Sequence, residues 1–293
     1  MGWLTSKIRV ISVSVPYDVW RQYLVPQHGL SRFAGLLANS KRPKLKNHLI
    51  RYFLSRYHVD MSEAQIEDPY AYKSFNDFFT RKLKEDARPI SENPQHLISP
   101  ADSTLYQFGR IEEDTLLRAK NHAYVLSSLL GRKDDLSQTF SNGHYYCFYL
   151  APYNYHRVHM PCTGNLLKMR YIPGRLFSVN QSTAEHVEHI FARNERVVAF
   201  FEGECGKFVV ILVGAMLVGN IHTSWMGKVA PGNDGQMKEV DYKPNAVKIA
   251  RGQEVGHFAM GSTAIVLFEK HIKSLETLKN NQSILMGESI ATF

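Results

Sequence analysis

An apolar stretch near the C-terminus, from Phe258 to Phe268, constrains the fold of this chain more than any other segment. Its second half is rich in β-branched residues, which predicts a buried β-strand over Thr263 to Phe268. A small hydroxyl-bearing step, Gly261-Ser262-Thr263, interrupts the apolar run at the mouth of that strand. Ser262 is either a polar residue that begins the strand or part of a peptide bond that the protein cleaves. Glycine before it suits the second interpretation, because glycine tolerates strained backbone and lets the serine hydroxyl come close to the preceding carbonyl. The tripeptide alone leaves both interpretations open.

Length and cysteine content bound the class of protein. At 293 residues with 44% hydrophobic content, the chain can bury a substantial core. Its three cysteines, Cys147, Cys162 and Cys205, are odd in number and form no CxxC pair. We therefore expect neither a disulfide framework nor a cysteine-only zinc site, and we predict reduced thiols in a cytosolic compartment.

The positive charge is confined to the N-terminal segment. Residues 1–60 contain ten Lys or Arg against two Asp, which accounts for the whole formal net charge of +8. Trp3, Trp20 and several Tyr and Phe residues interleave with these cations, a pattern that suits an anionic membrane surface. It also suits nucleic acid, but the neutral remainder of the chain argues against that partner. Four cations are expected to face the membrane: Lys41, Arg42, Lys44 and Lys46.

No segment reads as a bilayer span. The run from Ile8 to Val15 is far shorter than the roughly 20 residues that a transmembrane helix needs, and Pro16 ends it. It also lacks the features of a signal peptide. Further along, apolar residues at helical spacing predict a helix that either lies in a membrane interface or packs on its own domain: Leu49, Ile50, Phe53, Leu54 and Tyr57.

The order of elements indicates an α+β fold, with N-terminal amphipathic helices and then a mostly antiparallel, sandwich-like or barrel-like β core. Residues 1–85 form the basic, aromatic-rich helical membrane-association region, which ends with a short capped helix over Ser74 to Leu83. Residues 86–293 are expected to form a second, β-rich domain, entered through a proline-rich connector, which would be the catalytic domain if the chain is an enzyme. A helical turn or two is expected between Ser182 and Asn194, and a polar tail from Leu275. Strands are predicted over Tyr145–Leu150, Leu166–Ile172, Val197–Phe201, Phe208–Val218, Ala246–Ile249 and Thr263–Phe268.

Three dispersed residues have the types of a nucleophilic triad: Asp102, His159 and Ser262. In such a triad the acid orients the imidazole, the imidazole takes the serine proton, and chain order is immaterial. No Gly-x-Ser-x-Gly elbow is present, which disfavours an ordinary α/β-hydrolase. His156 and His159 lie three residues apart, yet no further ligand at conventional spacing accompanies them, so we expect no metal site. A serine hydrolase, or a cysteine hydrolase using Cys162, stays open.

The chain resembles the bacterial phosphatidylserine decarboxylase proenzymes, a pyruvoyl-dependent and self-cleaving family, from roughly Val59 to Phe268. The match over the N-terminal helices is looser. Met260 and Ser103 depart from the residues common in the family, but neither change removes a functional group. The resemblance rests on Ser74-Phe-Asn-Asp-Phe-Phe-Thr-Arg81, Ala87-Arg-Pro-Ile90, Ser99-Pro-Ala-Asp102, Tyr155-His-Arg-Val-His-Met-Pro161, Pro173-Gly-Arg-Leu-Phe-Ser-Val-Asn180, Phe191-Ala-Arg-Asn-Glu-Arg-Val197, Val213-Gly-Ala215, and Gly252-Gln-Glu-Val-Gly256 leading into Gly261-Ser-Thr263.

The resemblance implies both a cofactor and a reaction. His159, oriented by Asp102, would deprotonate Ser262, whose oxygen attacks the Gly261 carbonyl and splits the chain into a β chain (1–261) and an α chain (262–293). Ser262 would end as a pyruvoyl group, so the cofactor is covalent pyruvate made by the protein itself. Phosphatidylserine would then lose CO2 through a Schiff base on that group and leave as phosphatidylethanolamine.

The resemblance also implies lesser roles and partners. Phe177 and Asn180 would line the substrate pocket. His156 lies one turn from His159, and from that position we assign it to contact with the substrate carboxyl or to reprotonation. The β and α chains would stay associated and pair into a homodimer, bound peripherally to an anionic membrane at the cytoplasmic face of the cell membrane. No nucleic acid is expected as a partner.

Overall fold

The computed structural model describes residues 17–112, 115–119, 122–216, 221–229, 235–245, 247–259, 262–269 and 272–293. Three helices come first in the described part of the chain, and short helices are inserted between later strands. A 3-10 turn spans Lys243–Asn245. The α-helices are α1 (Tyr17–Leu24), α2 (Gln27–Ala38), α3 (Pro43–Arg56), α4 (Phe75–Phe79), α5 (Leu126–Leu130), α6 (Asp135–Gln138), α7 (Gln181–His186) and α8 (Ile190–Arg193).

Eighteen short strands make up the β-rich part of the described chain. They are β1 (His96–Ile98), β2 (Ser103–Arg110), β3 (Thr115–Ala119), β4 (His122–Val125), β5 (His144–Leu150), β6 (Arg157–His159), β7 (Gly164–Ile172), β8 (Arg196–Gly203), β9 (Gly206–Val213), β10 (Ile221–Thr223), β11 (Gly227–Lys228), β12 (Lys238–Asp241), β13 (Val247–Ile249), β14 (Glu254–Phe258), β15 (Ser262–Phe268), β16 (Lys273–Ser274), β17 (Gln282–Ile284) and β18 (Ser289–Thr292).

The largest sheet has nine strands, in the order β12-β7-β8-β9-β15-β5-β2-β17, with β13 also pairing with β7. Strand β15 lies inside it, antiparallel to β9 on one side and to β5 on the other. All seven residues of β15 are buried, which explains why this segment is apolar at nearly every position instead of alternating. The register sets Ser262 opposite Leu150 and Thr263 opposite Tyr149.

A four-stranded sheet, in the order β11-β10-β14-β6, adjoins the entrance to β15. Strand β14 ends at Phe258, four residues before Ser262, and pairs antiparallel with β6, which carries His159. Two smaller sheets complete the fold, one of β1, β18 and β16 and one of β3 and β4. The topology thus brings the middle of the chain to the start of β15, the strand that the sequence predicted to be buried.

The leading helices pack partly on their own domain. The Phe53 ring of α3 lies 5.6 to 5.9 Å from the rings of Phe75, Phe78 and Phe79 in and around α4. Ile50 is fully buried on the same face. This packing makes most of the predicted face a domain contact, because Leu49, Ile50, Phe53 and Leu54 pack on their own domain, while Tyr57 stays exposed. Lys46 is also buried, and its ammonium donates to the carbonyl of Tyr72 at 2.8 Å.

The predicted fold class is confirmed, since helices precede sheets in which every named strand pair is antiparallel. The helix predicted from Ser74 is shorter than expected: Ser74 caps it by accepting from the Asp77 amide, and it ends at Phe79. The helical turns expected after Ser182 are α7 and α8. None of the described helices combines the length and the hydropathy that a bilayer crossing requires.

Two expectations are wrong. The segment from Leu275 is not a polar tail, because β17 and β18 bury Ile284 and Ile290 in two sheets. These strands have only three and four residues, too few for a visible alternation.

Cys162 and Cys205 are joined in a disulfide rather than reduced. Strand pairing sets Gly164 opposite Gly203, which brings the flanking cysteines together across 43 residues of sequence.

Candidate active site

Ser262 is the first residue of β15 and is fully buried. Its hydroxyl has no hydrogen-bond partner in the described part of the chain. A buried hydroxyl normally has a hydrogen-bond partner, because leaving the bond unmade costs about 1–3 kcal/mol, so this orphan hydroxyl makes Ser262 a candidate for a chemical role. Gly261, the other half of the predicted cleavage site, lies outside the described residues, as does Met260.

His159 ends β6, and its backbone amide donates to the Pro100 carbonyl at 2.7 Å. Its Nδ1 lies 2.7 Å from the carbonyl oxygen of Gly252, and its Nε2 lies 3.0 Å from the hydroxyl of Tyr155. A carbonyl can only accept, so Nδ1 carries the proton and the lone pair of Nε2 accepts from Tyr155. Burial lowers the pKa of His159, which keeps the ring neutral and able to act as a base.

The hydrogen bonds of Asp102 go to Arg88 and Met286 and not to His159, the partner predicted for it. Its carboxylate accepts three hydrogen bonds from Arg88, of which Nη2 to Oδ2 is 2.6 Å, and one from the Met286 amide at 3.0 Å. The acceptor that orients the His159 ring is therefore the Gly252 carbonyl. Asp102 still acts on His159 through space, because its charge raises the imidazole pKa against the larger effect of burial. The predicted role of Asp102 stays a prediction.

His156 is fully buried at the same loop. Its Nδ1 donates to the Asn154 carbonyl at 2.8 Å, and its ring lies against Phe79 with the centroids 4.1 Å apart. Burial lowers the pKa of His156 to about 3, so the imidazole is neutral at physiological pH. Its Nε2 is therefore an unprotonated acceptor, and it has no partner among the described residues. This arrangement suits a group that accepts a proton or a hydrogen bond from a bound molecule.

The two predicted pocket residues occupy different positions. Phe177 is buried, and its amide donates to the side chain of Asn194 at 3.0 Å. Asn180 caps α7 by accepting from the Thr183 amide. Asn180 also lines a cavity of about 420 Å³ that lies between the leading helices and the β core. Other members of its lining are Ala38, Phe53, Phe75, Phe79, Tyr149 and Met216.

Three predicted residues, His156, His159 and Ser262, are therefore buried around the loop between β5 and β6 and the start of β15. No hydrogen bond yet joins Ser262 to His159 in the described structure, since both ring nitrogens of His159 have other partners. Cys162, the alternative nucleophile, is bonded to Cys205 and is not available as a thiol. The described residues contain no group of three or more His, Cys, Asp or Glu side chains arranged to hold a metal ion.

Comparison with known proteins decides the family. The family model described as phosphatidylserine decarboxylase matches residues 75–292, and a second, described as PSD, matches residues 18–58. The chain belongs to the phosphatidylserine decarboxylase family. It is similar to the phosphatidylserine decarboxylase proenzyme of Bordetella avium (strain 197N), with 48% identity over 272 residues, 92% of each chain. The proenzyme of Vibrio parahaemolyticus serotype O3:K6 is 45% identical over 274 residues, 92% of this chain and 96% of its own.

As a member of the phosphatidylserine decarboxylase family, the chain is an enzyme of the carboxy-lyase class. The longer match, over residues 75–292, includes every predicted catalytic and substrate-contacting residue. Sequence reasoning missed two residues of the site, Arg88 beside Asp102 and Tyr155 beside His159. Both lie within the motifs that carried the family resemblance, but nothing in their spacing showed which partner each would contact.

Proposed function

We propose that this enzyme decarboxylates phosphatidylserine to phosphatidylethanolamine with a pyruvoyl group that it makes from its own Ser262. The observation that carries the proposal is the Ser262 hydroxyl, fully buried and without a partner in the described structure, at the first residue of a central strand. The proenzyme names of the relatives agree with a chain that matures by cleavage.

Self-cleavage would begin with attack of the Ser262 oxygen on the Gly261 carbonyl carbon, while the hydroxyl proton passes to Nε2 of His159. The peptide bond becomes an ester and the Ser262 nitrogen a free amine. Elimination then removes the Cα proton of residue 262 and breaks its Cβ–Oγ bond, so Gly261 leaves as a carboxylate and residue 262 becomes dehydroalanine. Water replaces its nitrogen, which leaves as ammonia, and the pyruvoyl group remains.

His159 is suited to be the base in this step. Its lowered pKa keeps Nε2 unprotonated, and the Gly252 carbonyl fixes the tautomer that leaves Nε2 as the acceptor. The Tyr155 hydroxyl, which donates to Nε2, must relay the serine proton or give up its position to Ser262. The nearby Asp102 carboxylate would stabilise the imidazolium that forms, through its charge rather than by direct contact.

The residues around Ser262 fit a pyruvoyl group. This group supplies a ketone that takes the substrate amine and accepts the electrons left behind by CO2. The orphan Nε2 of His156 is a neutral acceptor in a dry site, so His156 can hold a protonated partner or hold the proton that replaces CO2.

The leading helices would dock the enzyme on its lipid substrate. Eight large hydrophobic side chains are exposed within residues 17–57, beside exposed cations that include Lys41, Arg42 and Lys44. Such a surface binds peripherally to an anionic bilayer, where each cation contributes on the order of 1 kcal/mol. The exposed hydrophobic side chains are Trp20, Tyr23, Leu24, Leu30, Phe33, Leu36, Tyr52 and Tyr57.

The remaining parts of the proposal concern assembly and location. The β chain (1–261) and the α chain (262–293) stay together because β15 pairs on both sides with strands of the larger piece. Two such units form a homodimer at the cytoplasmic face of the cell membrane. Support for the dimer and for that face comes from the family resemblance alone.

A denaturing mass measurement tests the proposal. The purified protein is expected to give two fragments that divide between Gly261 and Ser262, and the smaller fragment should lack a free amine and gain mass on borohydride reduction. Ser262→Ala should stay as one intact chain and lack decarboxylase activity. An intact wild-type chain that nevertheless decarboxylates phosphatidylserine would contradict the cofactor, and an intact chain that hydrolyses lipid esters would favour a serine hydrolase.

A further inference from the structure

Arg81 carries a buried guanidinium with no use in the site described so far. It follows α4 by two positions and is 5% exposed. Its Nη2 makes a long hydrogen bond of 3.4 Å to the Tyr153 carbonyl, and its Cζ lies 5.9 Å from the centre of the Phe78 ring. Its Nε and Nη1 are buried with no hydrogen-bond partner among the described residues. A buried cation without hydrogen-bond acceptors lowers the stability of the fold, unless a bound group supplies the missing acceptor.

The neighbouring carboxylates do not supply that acceptor. Glu63 and Asp102 are the acidic groups whose charges act on Arg81, and both are bonded to Arg88, at 2.7 and 2.6 Å. The two arginines therefore differ: partners raise the pKa of Arg88, whereas burial lowers that of Arg81. With the local carboxylates already paired, the missing acceptor must come from outside the described chain.

Arg81 lies beside the loop between β5 and β6, which contains His156. Tyr153, whose carbonyl it contacts, is three residues before His156, and Phe79 packs against the His156 ring. The same loop follows Leu150, the partner of Ser262 across the sheet. The orphan nitrogens of Arg81, the orphan Nε2 of His156 and the orphan Oγ of Ser262 thus surround one loop.

The same short helix also borders the apolar cavity. Phe75 and Phe79 of α4 line the cavity of about 420 Å³, and Arg81 lies two residues after this helix, outside the cavity lining. A ligand that filled the cavity and reached past the end of α4 to Arg81 would need both an apolar part and an anionic part. These two requirements favour an amphiphile over a small free anion.

We propose that Arg81 binds the phosphodiester of the lipid headgroup, an assignment that rests on the proposed function. A guanidinium offers two parallel N–H groups, which match two phosphate oxygens. The substrate has a second anion, its carboxylate, but a guanidinium bonded to the carboxylate would stabilise the ground state more than the transition state, in which that charge is being lost. The phosphodiester keeps its charge throughout the reaction. Arg81 is therefore a specificity residue that holds substrate and product alike.

The test compares Arg81→Gln and Arg81→Lys with the wild type, using a short-chain monomeric phosphatidylserine so that membrane docking does not enter. Processing is measured first by mass. If the wild type is not cleaved or not active, the proposed function fails whatever Arg81 does. In processed enzyme, Arg81→Gln should raise KM by about tenfold or more with a small change in kcat, and Arg81→Lys should recover part of the loss.

Two soluble inhibitors identify the anion. Glycerophosphoethanolamine carries the phosphodiester without the carboxylate, and O-octylserine carries the carboxylate without the phosphodiester. Arg81→Gln should weaken inhibition by the first about tenfold and leave the second unchanged. Weaker inhibition by O-octylserine alone, equal weakening of both, or no effect on either would overturn the assignment.

Protein stability gives an independent readout. A structural arginine should lower the thermal midpoint when it is removed, whereas deletion of an unpaired buried cation should leave the midpoint of the ligand-free enzyme unchanged or raise it. Arg132→Gln, at a half-exposed arginine paired with Asp134 and Glu239 far along the chain, is the matched control and should not alter KM. Loss of processing in both Arg81 variants would also overturn the proposal.

Discussion

Arg88 and Asp102 form a buried ion pair, with Nη2 of the arginine 2.6 Å from Oδ2 of the acid. Arg88 also bonds Glu63 at 2.7 Å, so one cation pairs with two carboxylates. Replacement of Arg88 by Leu would leave Asp102 charged and buried without its partner. We expect the free energy of unfolding to fall by about 3–5 kcal/mol.

Urea unfolding in a Ser262→Ala background, which keeps every sample as one chain, measures this loss. Lys84→Gln is the matched control, because it removes a cation from an exposed pair with Glu67 and should have no measurable effect. Equal stability of the Arg88 and Lys84 variants would show that Asp102 does not depend on its arginine.

Gly252 orients His159 from a conformation that favours glycine. Its φ is +78°, its carbonyl accepts from Nδ1 of His159, and a Cβ there would overlap Cδ1 of Ile90. Gly252→Ala should displace the carbonyl and slow self-cleavage severalfold. Gly227→Ala is the control, since Gly227 has a φ of +73° but open space around a Cβ. The rate at which the intact chain disappears on a denaturing gel measures the effect, and equal rates in the two variants would refute the orienting role.

The buried His156 predicts how stability depends on pH. Its pKa is about 3 when folded and near the ordinary value of 6.5 when unfolded, so the unfolded chain takes up the proton first as pH falls. The free energy of unfolding should therefore fall below about pH 6.5, by up to about 1.4 kcal/mol per pH unit from this residue. The lowered pKa of His159 acts in the same direction.

Denaturant unfolding at several pH values between 7.5 and 5 checks this slope. His156→Gln, which keeps a donor for the Asn154 carbonyl, should reduce the slope, and His48→Gln at an exposed position should not. An unchanged slope in the His156 variant would mean that this ring is not the group that titrates.

Charge reversal at Lys41, Arg42 and Lys44 should weaken binding to anionic vesicles. Each exposed cation contributes on the order of 1 kcal/mol near an anionic surface, and added salt should weaken wild-type binding in the same way. Co-sedimentation with phosphatidylserine-containing and neutral vesicles measures the difference. The control is Glu at three exposed lysines of the β-rich part, Lys243, Lys248 and Lys279, which changes the net charge equally. Comparable losses in both triple variants would argue for net charge rather than a docking surface.

The disulfide has a direct chemical test. Thiol titration of the denatured chain without reductant should find one thiol, that of Cys147, and three after reduction. Three thiols before reduction would restore the expectation drawn from the sequence.

A feature could be predicted from the sequence when it depends on local composition, and could not when it depends on contacts between residues far apart in the chain. The β15 strand was predictable because both faces are buried, so its composition alone marks it. The placement of His159 beside Gly252 was not, because it depends on the pairing of β6 with β14 across almost a hundred residues. Lys46 shows the same limit: its sequence neighbours are exposed cations, while its own ammonium is buried on carbonyls of a later loop.

The C-terminal 32 residues are interleaved with the rest of the molecule. Strand β15 pairs with β5 and β9, β17 with β2, and β18 with β1. If the chain is cut before Ser262, this arrangement makes unfolding a dissociation, so the melting temperature should rise with protein concentration. Refolding would become second order, and a mature molecule diluted after denaturation would recover far more slowly than its precursor. In a chain that is cut there, folding is therefore fastest before the cut, while the protein is still one molecule.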